Sequence, residues 1–108
     1  MNVDNNGNIL SVVVGDIVQV RTYEELFNRY GCLENGNIDC GKEVFTTQMV
    51  DYQGLKAKVT EVKKNSKGKP SGIVKLNGEF MENWDKFKFS LEMIKEPDEV
   101  REDEAKRS

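Results

Sequence analysis

Apolar residues along this chain come in short bursts, and the period of each burst points to an element. ILSVVV, 9 to 14, is a continuous apolar run, Gly15-Asp16 is a turn signal, and IVQVRT, 17 to 22, alternates as a strand. Val18 and Val20 mark its drier face, and Gln19 and Arg21 its polar one. Thr22 with Glu25 three residues on has the spacing of a capping box, so a helix begins there. Leu26, Phe27 and Tyr30 fall on one side of it, and Gly31 stands where a helix stops. A helix of about two turns does not persist alone, so its apolar side must dock.

From Cys32 to Lys42 the composition turns to Gly, Asn and Asp, which reads as loop. Thr46 with TQMVDY behind it predicts a second short helix. Phe45, Met49 and Val50 are its candidates to plug a core, and Gly54 closes it. LKAKVTEVKKN, 55 to 65, is the clearest strand, with a half-buried alternation that slips toward its end. SKGKPSG, 66 to 72, is a hairpin tip. IVKL leads to Asn77-Gly78, the strongest short hairpin signal there is. In WDKFKFSLEMI, 84 to 94, Phe87 and Phe89 share a strand face and Trp84 is out of phase by one residue. Ser90 to Met93 reads as a single helical turn that presses Leu91 or Met93 inward. Ile94 resumes a last strand before Pro97.

The order is strand, short helix, plugged loop, long hairpin, strand, one turn, closing strand. It predicts a mainly β fold, a small SH3-like barrel of about five strands with one or two short helices inserted in the first long loop. Such barrels close on themselves to remove exposed edges. The barrel is expected over 9–96. The Asn-rich residues 1–8 read as a flexible lead, and 97–108 as a charged, disordered tail.

Composition narrows the function. The chain has 108 residues, 37% apolar and 32% charged, enough for one small core. No run approaches the roughly 18 to 20 apolar residues of a membrane span. MNVDNNGN has neither the basic start nor the apolar stretch of a signal peptide, so a cytoplasmic location is expected. With no histidine and only Cys32 and Cys40 as thiols, neither a metal site nor a cofactor is expected. The two cysteines read as free thiols, one or both packed. Net charge is −3, against a dedicated nucleic-acid binder, yet Lys56 to Lys75 carries seven lysines and one acid.

Three stretches, "GDIVQVRTYEELFNRYG", "VFTTQMVDYQGLKAKVTEV" and "WDKFKFSLEMIKEP", carry a resemblance. In Gly15-Asp16, in Phe45 to Met49 with Gly54, and in Phe89-Ser90 to Met93, residues 15 to 96 resemble a family of small, mostly uncharacterised proteins. Phages and prophages of low-GC Gram-positive bacteria encode them. A more limited similarity, resting on the same Gly-Asp and a late Trp, is to the SH3-like repeat of Mind-bomb-type proteins. Trp84 stands further from the final Ser than the family's aromatics do, and the tail lies outside the shared pattern. The resemblance brings no settled activity, so no catalytic residue transfers with it.

Catalytic chemistry is not expected, because general-base histidine, G-x-S-x-G, Walker loop and H-E-x-x-H are all missing. A binding module is. Trp84, Tyr23, Tyr30 and Tyr52 are the candidates to contact a protein partner, since aromatics bring large area at low entropy cost. Trp84 has a second reading, as a ring packed over the open end of the barrel. In KKNSKGKPSG, Lys63, Lys64, Lys67 and Lys69 are candidates for phosphate contact, but no aromatics interleave them for base stacking. The same tip also reads as a solvated loop or as a patch for an acidic protein. The leading expectation is a non-enzymatic phage or prophage accessory protein that binds a host or phage macromolecule, with inhibition of a bacterial defence system as one instance. A nucleic-acid or nucleotide binder on the Lys56–Lys75 face and a virion assembly component are the alternatives. A monomer that does not touch the membrane is expected.

Overall fold

In the computed structural model, which describes residues 1–97, the chain makes nine short strands and four short helical segments. Five strands form one antiparallel, barrel-like sheet. They are β3 (Ile17–Val20), β6 (Lys56–Lys64), β7 (Pro70–Asn77), β8 (Phe89–Ser90) and β9 (Ile94–Lys95), in the order β8-β7-β6-β3-β9. The two edge strands, β8 and β9, are joined by a single 3-10 turn, Leu91–Met93. One seven-residue run therefore pairs with β7 at one edge and with β3 at the other, and draws the sheet almost closed. The turn predicted at Ser90 to Met93 is there, and Met93 is its buried residue.

Alternation builds the core. Val18 and Val20 of β3, Ala57 and Val59 of β6, and Val74 and Leu76 of β7 point inward and are buried. Thr60 has no partner across β7: Val59 pairs with Leu76 and Glu61 with Lys75. This one-residue bulge reverses the face of everything after it, which is why the alternation in the sequence slips. Glu61 turns outward and Val62 packs against the core.

The capping box is formed as expected. Thr22 Oγ1 accepts from the Glu25 amide, Glu25 accepts from the Thr22 amide, and the α-helix α1 (Tyr23–Tyr30) ends at Gly31 with φ 73°. The second predicted helix is a 3-10 helix, Thr47–Tyr52, that buries Met49 and Tyr52. Both lie between β3 and β6. The loop read from Cys32 to Lys42 contains a strand, β4 (Ile38–Asp39), which pairs with β5 (Val44–Phe45), and Ile38 and Phe45 are fully buried opposite each other.

Three expectations are corrected. Residues 1–8 are not a loose lead, because β1 (Asn2–Val3) pairs with β2 (Ile9–Ser11). The Asp4 side chain accepts from the amides of Asn6 and Asn8 and holds the turn, and Asn8 bridges to Lys95. Asn77-Gly78 is not a hairpin turn. Gly78 lacks the positive φ of the tight turn, and the chain runs on through residues 79–88 before it pairs again. Its glycine serves close approach instead: a Cβ there would lie 2.8 Å from the Lys56 carbonyl and 3.0 Å from the Trp84 ring. Lastly, 84–88 is not strand. Asn83 adopts left-handed φ 63°, and Trp84–Lys86 forms a 3-10 turn that swings the indole inward. The charged tail expected over 97–108 lies, after Pro97, outside the described residues.

The polar face of β3 is not open to water either. Gln19 and Arg21 are both buried. Gln19 Nε2 donates to the Gly54 carbonyl, and Arg21 meets Glu25 at 3.1 Å while Lys95 meets the same carboxylate at 2.9 Å. Partial burial pushes the Glu25 carboxyl up, but bonds from Lys95 and the Thr22 amide, with the two nearby cations, outweigh it and hold it below the usual range. Glu25 thus fastens α1 to β9 and to Arg21, just past the end of β3.

Candidate functional site

Four aromatic residues stood as candidates for partner contact, and the fold divides them into two pairs. Trp84 and Tyr52 belong to the core. Trp84 is 1% exposed, its ring meets Tyr52 edge-on at 4.7 Å, and Phe89 lies 6.1 Å away. Phe87 meets Tyr52 edge-on at 5.2 Å, and the Tyr52 hydroxyl donates to the Glu82 carbonyl. These rings fill the end of the barrel, so the packed reading of Trp84 holds, and neither it nor Tyr52 offers a face to a partner. A strand over 84–88 would leave Trp84 one residue out of phase with Phe89, and the 3-10 turn at Trp84–Lys86 brings the two rings together instead.

Tyr23 and Tyr30 belong to α1 and stay at the surface. At 3.6 residues per turn, Tyr23, Phe27 and Tyr30 fall within about 60° of one another around the helix axis. Tyr23 and Phe27 stack with centroids 6.2 Å apart. The Tyr23 hydroxyl donates to the Gly36 carbonyl, so its ring is held in place. Phe27 is 45% exposed and Tyr30 38%, and just past the helix Leu33 is exposed as well. Of the apolar side expected to dock, only Leu26 is fully buried, and Tyr23 packs partly against the core. Next to Leu26, the helix carries a half-covered aromatic stripe. Phe27, on the side expected to dock, belongs to the stripe instead, and its spacing from Tyr23 and Tyr30 carries that signal in the sequence.

The lysine hairpin is a well-formed tip. Asn65 Oδ1 accepts from the amides of Lys67 and Lys69, and Gly68 supplies φ 78°. Lys64, Lys67 and Lys69 are exposed. Lys63 is tied to Glu61 at 2.8 Å, and Lys75 donates to the Asp85 carbonyl, so part of the positive charge is answered within the molecule. No aromatic side chain comes from within the tip to stack a base.

The cysteines are free thiols, Cys32 exposed and Cys40 buried. Burial pushes the Cys40 thiol up to about 11, so it is protonated and covered at neutral pH. Native protein treated with iodoacetamide near pH 8 is expected to gain one adduct, at Cys32, and a second only after unfolding. Intact-mass measurement reads the count, and two adducts on native protein would place Cys40 at the surface.

Among the described residues no group of three or more His, Cys, Asp or Glu side chains is placed to hold a metal ion. Nor is any described helix long and apolar enough to cross a membrane. Comparison with protein-family models, with curated proteins and with solved structures found no match.

Proposed function

We propose that this protein is a non-enzymatic binding module that acts on a protein partner through the outer face of α1. The observation that carries the reading is the stripe of Tyr23, Phe27 and Tyr30, two of whose rings are more than one-third exposed on a helix otherwise pinned by Glu25. Interfaces concentrate aromatic side chains of this kind, because a rigid ring contributes area with little entropy to lose. Tyr23 is already fixed by its bond to Gly36, which lowers that cost further. The resemblance at Gly15-Asp16, Phe45 to Met49 and Phe89 to Met93 gives the context of a phage or prophage accessory protein. Its target is then a host or phage macromolecule, with a component of a bacterial defence system as one instance.

The test compares variants in pull-downs from host lysate, with and without nuclease. Phe27→Ala combined with Tyr30→Ala is expected to weaken partner capture by about 2 kcal/mol or more, while the melting temperature stays near the parent's. Replacing Lys63, Lys64, Lys67 and Lys69 by Gln is expected to leave capture intact. Capture that survives the α1 changes but disappears with nuclease or with the lysine changes would reject the α1 reading in favour of nucleic acid on the hairpin.

A further inference from the structure

On the outer face of the sheet, Ile17 of β3 stands opposite Lys58 of β6, and Lys58 opposite Asn77 of β7. Beyond Asn77 the chain turns out through Glu79 to Phe80. These residues and Thr60 line an open groove of about 470 Å³. Ile17 is 43% exposed and Phe80 79%, so two large apolar side chains share the walls of one groove without being covered. Gly78 sets the geometry: it brings the backbone against Lys56 and Trp84, and two residues later Phe80 projects into solvent. Lys58 is exposed, and none of the ion pairs among the described residues includes it. Lys56, two residues back on the same strand, lines the groove too.

We infer that this groove binds an extended acidic segment of a partner protein. A bulky apolar side chain of that segment lodges between Ile17 and Phe80, and a neighbouring Asp or Glu meets the Lys58 ammonium. Exposed apolar side chains interspersed with a few charged groups match the mixed composition of a protein contact. The groove is open along the sheet, which suits a chain lying across it better than a small molecule that must be mostly enclosed. A nucleic-acid strand fits less well. Phe80 is the one aromatic in the lining, and the Glu79 carboxylate beside it interrupts the positive charge. A stacked strand draws on several rings and a continuous positive track. The groove is separate from the α1 face, none of whose residues lines it, so the two surfaces stand or fall independently.

Random peptides of about a dozen residues, displayed on filamentous phage and panned against the immobilised full chain, are the first probe. Enriched sequences are expected to place Asp or Glu within a residue or two of Phe, Trp, Leu or Ile. A fluorescein-labelled synthetic copy of the most enriched peptide is then titrated by anisotropy. Phe80→Ala and Lys58→Glu are each expected to weaken it by about tenfold or more, Phe27→Ala to leave it unchanged, and added salt to weaken it. Phe80 and Lys58 are both exposed, so these variants keep the parent's fold. Ile17→Asp, on the facing wall, is a further variant expected to lose binding. No enrichment, an enriched motif without acids, or a peptide that binds Phe80→Ala as it binds the parent would overturn the inference. So would oligodeoxythymidine that binds in place of the peptides and is lost in the same variants, which would assign the groove to single-stranded nucleic acid.

Discussion

Trp84→Ala is expected to destabilise the fold by about 3–5 kcal/mol, a large share of the roughly 5–15 kcal/mol that holds a domain of this size together. The indole is 1% exposed and closes the barrel end between Tyr52 and Phe89. Its removal takes away the edge-on partner of Tyr52 and leaves a void that the surrounding backbone cannot collapse to fill. Gly78 already lies against the ring on one side, and Tyr52 is tethered through its hydroxyl to Glu82 on another. Trp84→Phe keeps part of the contact and is expected to lose about half as much. Urea denaturation followed by far-ultraviolet circular dichroism reads the change, since Trp84 is the chain's one tryptophan and the variant has no indole fluorescence to follow. A midpoint equal to the parent's would mean that the indole lies outside the core.

Phe89→Ala is expected to cost a similar amount, about 3–5 kcal/mol, through a different consequence. Phe89 is fully buried and pairs with Val74 across β7 and β8. It is the anchor of the seven-residue run that supplies both edges of the sheet. Without it the closing segment loses its hold on β7, and the 3-10 turn that buries Met93 loses its support. The other phenylalanines of this region form an internal scale. Phe87 is half-buried and should cost less, and Phe80 is 79% exposed, so its truncation should stay within about 0.5 kcal/mol. The same urea series measures all three. Phe89→Ala melting with the parent would place this ring on the solvent side of β8.

Local chemistry was legible in the sequence wherever the deciding partners lie within a few residues. Thr22 and Glu25 find each other three positions apart, Gly31 ends the helix by its own φ, and the turn at Leu91–Met93 follows from a break in a short alternation. The alternation of β6 was readable too, and even its slip, because a bulge shifts the period where it occurs. The mainly β, barrel-like arrangement follows from the order of these elements.

What lies on the surface was decided elsewhere. Leu10, Val13 and Val14 belong to an apolar run yet are exposed, whereas Gln19 and Arg21 are polar yet buried. Their cover comes from distant segments: the Gly54 carbonyl over Gln19, Glu25 and Asn8 around Arg21. Trp84 reads as an aromatic available for contact until Gly78 and Tyr52 close on it. Tyr23, Phe27 and Tyr30 have a readable spacing on α1, but which flank of that helix docks depended on where β4 came to rest. Phe80 and Ile17 are 63 positions apart, and their meeting across Lys58 depends on the β3-β6-β7 register. Hydrogen bonds and backbone angles act over a few residues of chain, so sequence alone determined the elements. Burial depends on which remote side chain arrives to exclude water, so only the tertiary structure determined the core, the aromatic stripe and the groove.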